Sequence, residues 1–374
     1  MSRINRLMIY NWQFSNWPEF NFEDRILVRK QLDFLFKSGQ GNGMLEGISS
    51  IDQEELLLET IVGEAMNTSV IEGELLTRQD VMSSIKKNLG IHEAQPIFVK
   101  DLRAKMIVNV RASFADELTT EVLFEWHKML MEGNRYMNCG AWRSDSAPMQ
   151  VVSGVIGKES VHFEAPPSTA VPYEMEVFIV WFNQTAPGKS KAILNPLLRA
   201  GIAHLYFESI HPFEDGNGRI GRALVEKVIH QVLDHPALIS VSSVIEKEKS
   251  TYYSHLFKAQ KSLDITDWLN YFGETILTAQ TDSLKLIEFT LKKTRFFDCW
   301  KDEFNERQLK VIARMLAEGP SGFDGGMTAK KYMGITKASK ATATRDLQQL
   351  AEIGVFDLSG GGRSVRYKIK ISVE

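Results

Sequence analysis

The sequence predicts a mainly α-helical protein, and three stretches carry that expectation. Leu198, Ile202 and Leu205 on one side of a short polar loop, and Ile220, Leu224, Val228 and Val232 on the other, recur at helical spacing and predict two core helices. From Glu54 to Glu74 the run EELLLETIVGEAMNTSVIEGE sets Glu64, Thr68 and Glu72 four residues apart, a polar stripe on an otherwise apolar helix whose ordinary role is a solvated face. Thr281 to Phe297, rich in Leu and Lys, predicts a further helix. With 374 residues, 44% of them apolar, the chain is long enough for two or three domains.

Taken in chain order, residues 1–92 read as a helical region, opened by the aromatic-rich segment YNWQFSNWPEFNF from Tyr10 to Phe22. Between Gly140 and Pro167 the helical pattern breaks. Two extended runs, Met149 to Val152 and Ser160 to Phe163, flank a glycine-containing turn and predict a β-hairpin. The helical residues on either side of it complete a part spanning 93–285. Residues 298–374 form a third part, with helices expected at Asn305 to Leu316, Thr328 to Met333 and Lys340 to Ile353, then two strands joined by a glycine turn in VFDLSGGGRSVRYKI. That order is the order of a winged helix-turn-helix. From Met327 onward there are nine Lys or Arg against four Asp or Glu, a net +5 in a chain whose formal net charge is −3. Lys337, Lys340, Arg345, Arg363 and Arg366 would straddle a DNA phosphate backbone. Winged helices also dimerise or dock peptides, so DNA or RNA contact and protein docking both stay open.

The charge balance excludes a nucleic-acid binder built along its whole length. The two cysteines, Cys139 and Cys299, stand in no metal-ligand or redox spacing, which predicts free thiols in a reducing compartment. No signal-peptide pattern opens MSRINRLMIYNW, and no stretch has the length and apolarity of a membrane span, so a cytoplasmic protein with no membrane partner is expected.

The chemistry concentrates in HPFEDGNGRIGR, His211 to Arg222, the loop between the two predicted core helices. Gly216, Asn217 and Gly218 tolerate unusual backbone angles and can turn amide hydrogens toward an anion at a helix N-terminus. Arg219 and Arg222, three apart, share a helix face and can reach the same phosphates. Asp215 offers the hard oxygen that magnesium prefers, and His211 is a base beside the nest. Singly, each has an ordinary reading as a turn, a common loop or a solvated ion pair. Together they point to nucleotide chemistry.

This run matches residue for residue the signature of the Fic family, H-x-F-x-[D/E]-G-N-G-R-x-x-R, and the chain resembles that family over most of its length. The resemblance implies a Fic-type helical core carrying the hairpin as its flap, and transfer of AMP from ATP, with Mg2+, to a hydroxyl side chain (Ser, Thr or Tyr) of a target protein. It makes His211 the general base and Asp215 the metal ligand. Gly216, Asn217, Gly218, Arg219, Ile220, Gly221 and Arg222 become the nucleotide-binding run, with Arg222 on the γ-phosphate. Thr68, Glu72 and Gly73 fit the family's inhibitory motif, [S/T]-x-x-x-E-[G/N], so the resemblance pairs Glu72 with Arg222 in place of that phosphate and makes 1–92 a regulatory region. The exposed edge of the flap would pair with an extended segment of the target. Tyr252 and Tyr253, preceding a helix in TYYSHL, are candidates for core packing or for the adenine pocket, with Tyr253 assigned to the nucleotide site. A homodimer is compatible with the resemblance. Three other functions remain: a deadenylylating or bifunctional enzyme in which Glu72 orients water, transfer of UMP or a whole phosphate as in other members of the family, against which the complete motif favours AMP, and a DNA-binding regulator whose Fic core senses nucleotide.

Overall fold

The computed structural model describes residues 9–74, 76–88, 102–131, 138–153, 160–361 and 365–371. Its helices are α1 (Val28–Leu45), α2 (Ser50–Ile71), α3 (Arg78–Asn88), α4 (Leu102–Ala112) and α5 (Thr120–Met131), then, after the hairpin of β1 (Gln150–Ser153) and β2 (Ser160–Glu164), α6 (Val171–Gln184), α7 (Pro196–Ile210), α8 (Asn217–Leu233), α9 (Val241–Lys247), α10 (Lys249–Ala259) and α11 (Thr266–Trp300). The chain continues through α12 (Glu306–Leu316), α13 (Ala329–Thr336), α14 (Lys340–Glu352) and a second hairpin, β3 (Phe356–Ser359) with β4 (Arg366–Ile369). The mainly α expectation holds, and both hairpins stand within a residue or two of where alternation places them.

Two compact units divide the chain: residues 1–37 with 57–281, and residues 38–56 with 282–374. This division cuts across the parts 1–92, 93–285 and 298–374, because α2 and much of the N-terminal region pack into the same core as α4 to α11. Helix α11 is 35 residues long and begins fifteen residues before the expected Thr281.

The larger unit is centred on α7 and α8. Asn195 accepts the Leu197 and Leu198 amides through its side chain, and Pro196 opens the first turn, so α7 starts where local chemistry favours a start. Ala200, Ala203, Leu205 and Phe207 on α7 and Ile220, Leu224, Val225 and Val228 on α8 are fully buried in one apolar core. Helix α7 is covered nearly all round, which explains its lack of an amphipathic stripe.

The expected polar stripe on α2 is not a solvated face. Glu64 and Thr68 are buried. Glu64 accepts hydrogen bonds from the Ser240 hydroxyl at 2.6 Å, from the Ser242 amide at 3.2 Å and from the Ser242 hydroxyl, at the start of α9. Helix α2 also ends at Ile71, so Glu72 sits in the turn beyond it, where Gly73 adopts φ 83°. The Ser69 carbonyl accepts from the amides of Glu72 and Glu74 and so closes that turn.

In the smaller unit, Asn305, Thr328 and Ser339 cap α12, α13 and α14 through their side chains. Val311, Ile312, Met315, Tyr332, Leu347, Leu350 and Phe356 form a separate apolar core. Tyr332 and Arg307 both bond the buried Asp346 carboxylate, tying α13 and α12 to α14. The three helices and antiparallel hairpin follow the expected order. Lys337, Lys340, Arg345 and Arg366 are exposed, while Arg363 and the glycine-turn residues 362–364 lie outside the described residues. The turn of the first hairpin, 154–159, lies outside them too.

Candidate active site

The site forms where α7 hands the chain to α8. His211 closes α7 in a left-handed conformation, φ 51°, that residues with side chains rarely adopt. Asn217 then holds the loop from inside: its Oδ1 accepts the Phe213 amide and its Nδ2 donates to the Phe213 carbonyl, both at 2.9 Å. Phe213 is buried, with the His127 imidazole stacked on it at 4.1 Å. Only Gly216 takes the unusual angle, φ 85°, as the residue preceding α8; Asn217 and Gly218 are already helical. Asn217 and Gly218, in the first turn of α8 where amides have no helical carbonyl to bond, line the same cavity as His211. That cavity, of about 310 Å³, is lined by His211, Asp215, Gly216, Asn217, Gly218 and Arg222, together with Glu72, Glu208, Tyr253 and Gln260.

Glu72 reaches this cavity from the end of α2 and accepts a hydrogen bond from Arg222 Nη2 at 2.8 Å. Thr68 takes more of the same guanidinium, its hydroxyl accepting from Nε at 2.9 Å and its carbonyl from Nη2 at 3.2 Å. The spacing of Thr68 and Glu72, one helical turn, is what lets both meet one arginine. Gly218 makes the approach possible, because a Cβ there would lie 2.5 Å from Glu72 Oε1. Burial opposes the Arg222 charge, yet Glu72 outweighs it and keeps the guanidinium pKa above its ordinary value.

Arg219 is buried and its charge is spent on carboxylates: Nη1 bonds Glu74 at 3.0 Å and Nη2 lies 3.3 Å from Asp215. Asp215 is half exposed, and its Oδ1 accepts the Gly216 amide at 2.6 Å. Ile220 points into the apolar core, and Gly221 packs beside Glu208 and His204. Neither of these two lines the cavity, so their place in the signature is structural. Tyr252 and Tyr253 lie within α10, not ahead of it. Both line the cavity; Tyr252 is buried with its hydroxyl 2.7 Å from His204 Nε2, and Tyr253 stacks on Phe257.

Sequence reading missed three contributors. Arg143 donates through Nε to the His211 carbonyl at 2.8 Å and through Nη2 to the Pro166 carbonyl at 2.5 Å, fixing the backbone on which the histidine rides. Burial and this guanidinium push the His211 pKa down to about 4, so the imidazole is neutral at physiological pH. Glu208, one turn before His211 on α7, has its Oε2 at 3.8 Å from His211 Nδ1, and burial raises its pKa to about 8. Gln260, at the end of α10, donates to the Glu208 carbonyl at 3.0 Å. A glutamate at i−3 was a legible signal; Arg143 and Gln260 carry none in one dimension.

Residues 117–229 match the Fic/DOC family, and residues 10–91 match a domain of unknown function, DUF4172. The chain is similar to the protein adenylyltransferase Fic of Nematostella vectensis, 21% identical over 59% of this chain and 48% of that protein, and to the one of Drosophila erecta, 25% identical over 54% and 38%. It thus spans about half or less of the length of these relatives. Two crystal structures share its fold: a Fic family protein from Desulfovibrio desulfuricans, with a TM-score of 0.55 and 18% identity over 96% of this chain and 99% of that one, and a Fic-domain signaling protein from Bacteroides thetaiotaomicron, with 0.53 and 19% over 68% and 97%. With the full signature folded around one cavity inside the matched segment, residues 117–229 are a Fic/DOC-family domain of this chain.

Proposed function

We propose that the chain is a protein adenylyltransferase that moves AMP from ATP to a hydroxyl side chain of a target protein and is held in check by Glu72. The observation that carries this reading is the convergence on one cavity of a neutral histidine, a helix start with free amides, and an arginine whose donors are taken by a carboxylate from a distant segment. The names of the relatives agree with it.

In the reaction, His211 takes the proton of the acceptor hydroxyl as its oxygen bonds the α-phosphorus. The bond from that phosphorus to the bridging oxygen breaks, and pyrophosphate leaves. The α8 amides hold the developing negative charge. Magnesium fits the residues present. Asp215 offers a half-exposed carboxylate, and no group of three or more His, Cys, Asp or Glu among the described residues could cage a metal, which suits an ion that takes one carboxylate plus phosphate oxygens and water. When bound it neutralises charge on the α and β phosphates. Arg222 is the partner for the γ-phosphate, and while Glu72 holds it the triphosphate lies in a pose unsuited to in-line attack.

The test is labelling of lysate proteins, and of the chain itself, with α-labelled ATP and magnesium. Glu72→Gly should raise labelling about ten- to hundredfold while the KM for ATP moves much less, since the change corrects a pose and does not create the site. Equal labelling by both forms would remove self-inhibition, and no labelling by either would remove the transferase. One second reading has its own support: the Glu72 side chain keeps a quarter of its surface exposed to the cavity, where it could orient water for AMP removal. Loss of an AMP-removing activity in Glu72→Gly would select it.

For the C-terminal unit we propose phosphate-backbone contact through the exposed residues Lys340 and Arg345 on α14, Lys337 before it and Arg366 on β4. Gel shifts of duplex DNA by the whole chain should weaken steeply with salt. A chain that shifts no DNA at low salt would leave protein docking.

A further inference from the structure

The segment at the start of the DUF4172 match, Tyr10 to Trp12, touches three elements that carry cavity residues: the hairpin, the end of α7 and the end of α10. The Trp12 indole Nε1 donates to the Glu164 carbonyl on β2 at 2.7 Å. Tyr10 is buried, with its ring edge-on to Phe163 of the same strand at 5.1 Å. Asn11, fully buried between them, donates from Nδ2 to the Ser209 hydroxyl at 2.8 Å, two residues before His211, and from its amide to the Gln260 carbonyl at 2.8 Å. Its Oδ1 accepts the Trp12 amide at 2.9 Å, and Gln13 accepts the Tyr10 amide at 2.8 Å, so the segment braces itself. It is therefore a rigid wedge, not a tail lying on a surface.

The hairpin depends on such support. Two strands of four and five residues, with a register shift between Val151 and Val152, do not hold a position by pairing alone. One support is α10, where Phe257 stacks on His162 of β2 at 4.8 Å. The other is the wedge: Tyr10, Phe163 and Ala165 form a small apolar cluster of their own, with Trp12, Met149, Val151 and Phe257 packed on it. The strand paired with β2 is the one that matters to the chemistry, because Gln150, Val151 and Val152 of β1 line the same cavity as His211, and Met149 and Val151 pack on that cluster.

We propose that Tyr10, Asn11 and Trp12 are positioning residues for the acceptor: they set where the β1–β2 hairpin stands over His211, and so where an acceptor hydroxyl beside it meets the base. This rests on the transferase reading above. It gives the region matched as DUF4172 a role at both sides of the cavity, with Glu72 on the phosphate side and the wedge on the acceptor side. A displacement of about 1 Å at the reacting atoms can cost a hundredfold in rate, so a contact remote from the phosphates can govern transfer without governing nucleotide binding.

The experiment uses the whole chain with Trp12→Phe, which keeps an aromatic ring but loses the indole N–H, and Asn11→Ala as a second variant. Hydrogen exchange read at residues 149–153 and 160–165 should speed up about tenfold in each, the scale of one lost hydrogen bond. In the Glu72→Gly background, labelling of lysate proteins from α-labelled ATP should fall about tenfold at saturating ATP, with the KM for ATP held within about twofold. Unchanged hairpin exchange in both variants overturns the proposal, as does a loss of labelling matched by an equal loss of ATP affinity. Should Glu72→Gly itself label nothing, the transferase reading fails, while hairpin exchange still decides whether the wedge positions the hairpin.

Discussion

One wall of the cavity, His211 to Arg222, is a single run of sequence. The rest of the lining gathers Glu72, Gln150 to Val152, and residues between Tyr252 and Gln260 from separate parts of the chain, with Tyr10 to Trp12 packed behind the hairpin and Gln260. The first wall is shaped locally, by a left-handed histidine, one left-handed glycine and an asparagine that bonds its own loop. The second is shaped by contacts between distant segments, such as Asn11 to Ser209, 198 residues apart, and Asn11 to Gln260, farther still. Groups that must act on the same few atoms are safest on one rigid turn, where their spacing cannot drift. Groups that only place a partner can be assembled from afar, and changed there without touching the chemistry. Substitutions in the contiguous wall should therefore lower the rate of the chemical step, and substitutions in the assembled wall should alter positioning or affinity.

The largest effect is expected at His211. Replacing it by Ala should lower labelling by about a hundred- to ten-thousandfold, the range of a lost general base, with ATP binding by titration nearly unchanged. Near-normal labelling in a variant with an intact melt would break the contrast at its strongest point. Asp215→Ala comes next, with a fall of roughly two orders of magnitude and a changed magnesium dependence. An unaltered magnesium titration would show that the metal is held elsewhere.

The pH profile sharpens the same wall. Because the His211 pKa is depressed to about 4, the base form predominates from neutrality down to about pH 5. The kcat/KM of the Glu72→Gly form should hold over that range and fall only below about pH 4, since the Glu72 charge raises the His211 pKa and its removal lowers it further. An acid limb near the ordinary histidine value of about 6.5 would show that burial does not govern this group in the free enzyme. The smallest effect belongs to the assembled wall. Tyr253→Ala should raise the KM for ATP by about three- to tenfold through lost stacking, with kcat little changed. A fall in kcat at constant KM would place Tyr253 among the groups that act on the phosphates.

Helices α12 and α14 were legible because an apolar period with a capping Asn or Ser at its start leaves little choice of local structure, and α7 and α8 because apolar residues at helical spacing flank the polar loop between them. The hairpin was legible from alternation and glycine. Helix α11 was legible only in its second half: from Thr266 to Gln280 its polar and apolar residues answer to neighbours from other segments, Gln280 bonding the Phe34 carbonyl for example.

His211, Asp215, Gly216 and Arg222 were determined as a group by sequence alone, since residues this close along the chain can have only a few mutual geometries. The partners Thr68 and Glu72 were named by a pattern, but their meeting with Arg222, about 150 residues away, was decided by the packing of α2 against α8 and by the space left at Gly218. Arg143 under His211, Gln260 behind Glu208 and the wedge at Asn11 were decided wholly by the tertiary structure. Each is an ordinary polar or aromatic residue whose worth comes from burial. Burial depends on which distant segments close over a residue, and that is settled only when the whole chain has folded.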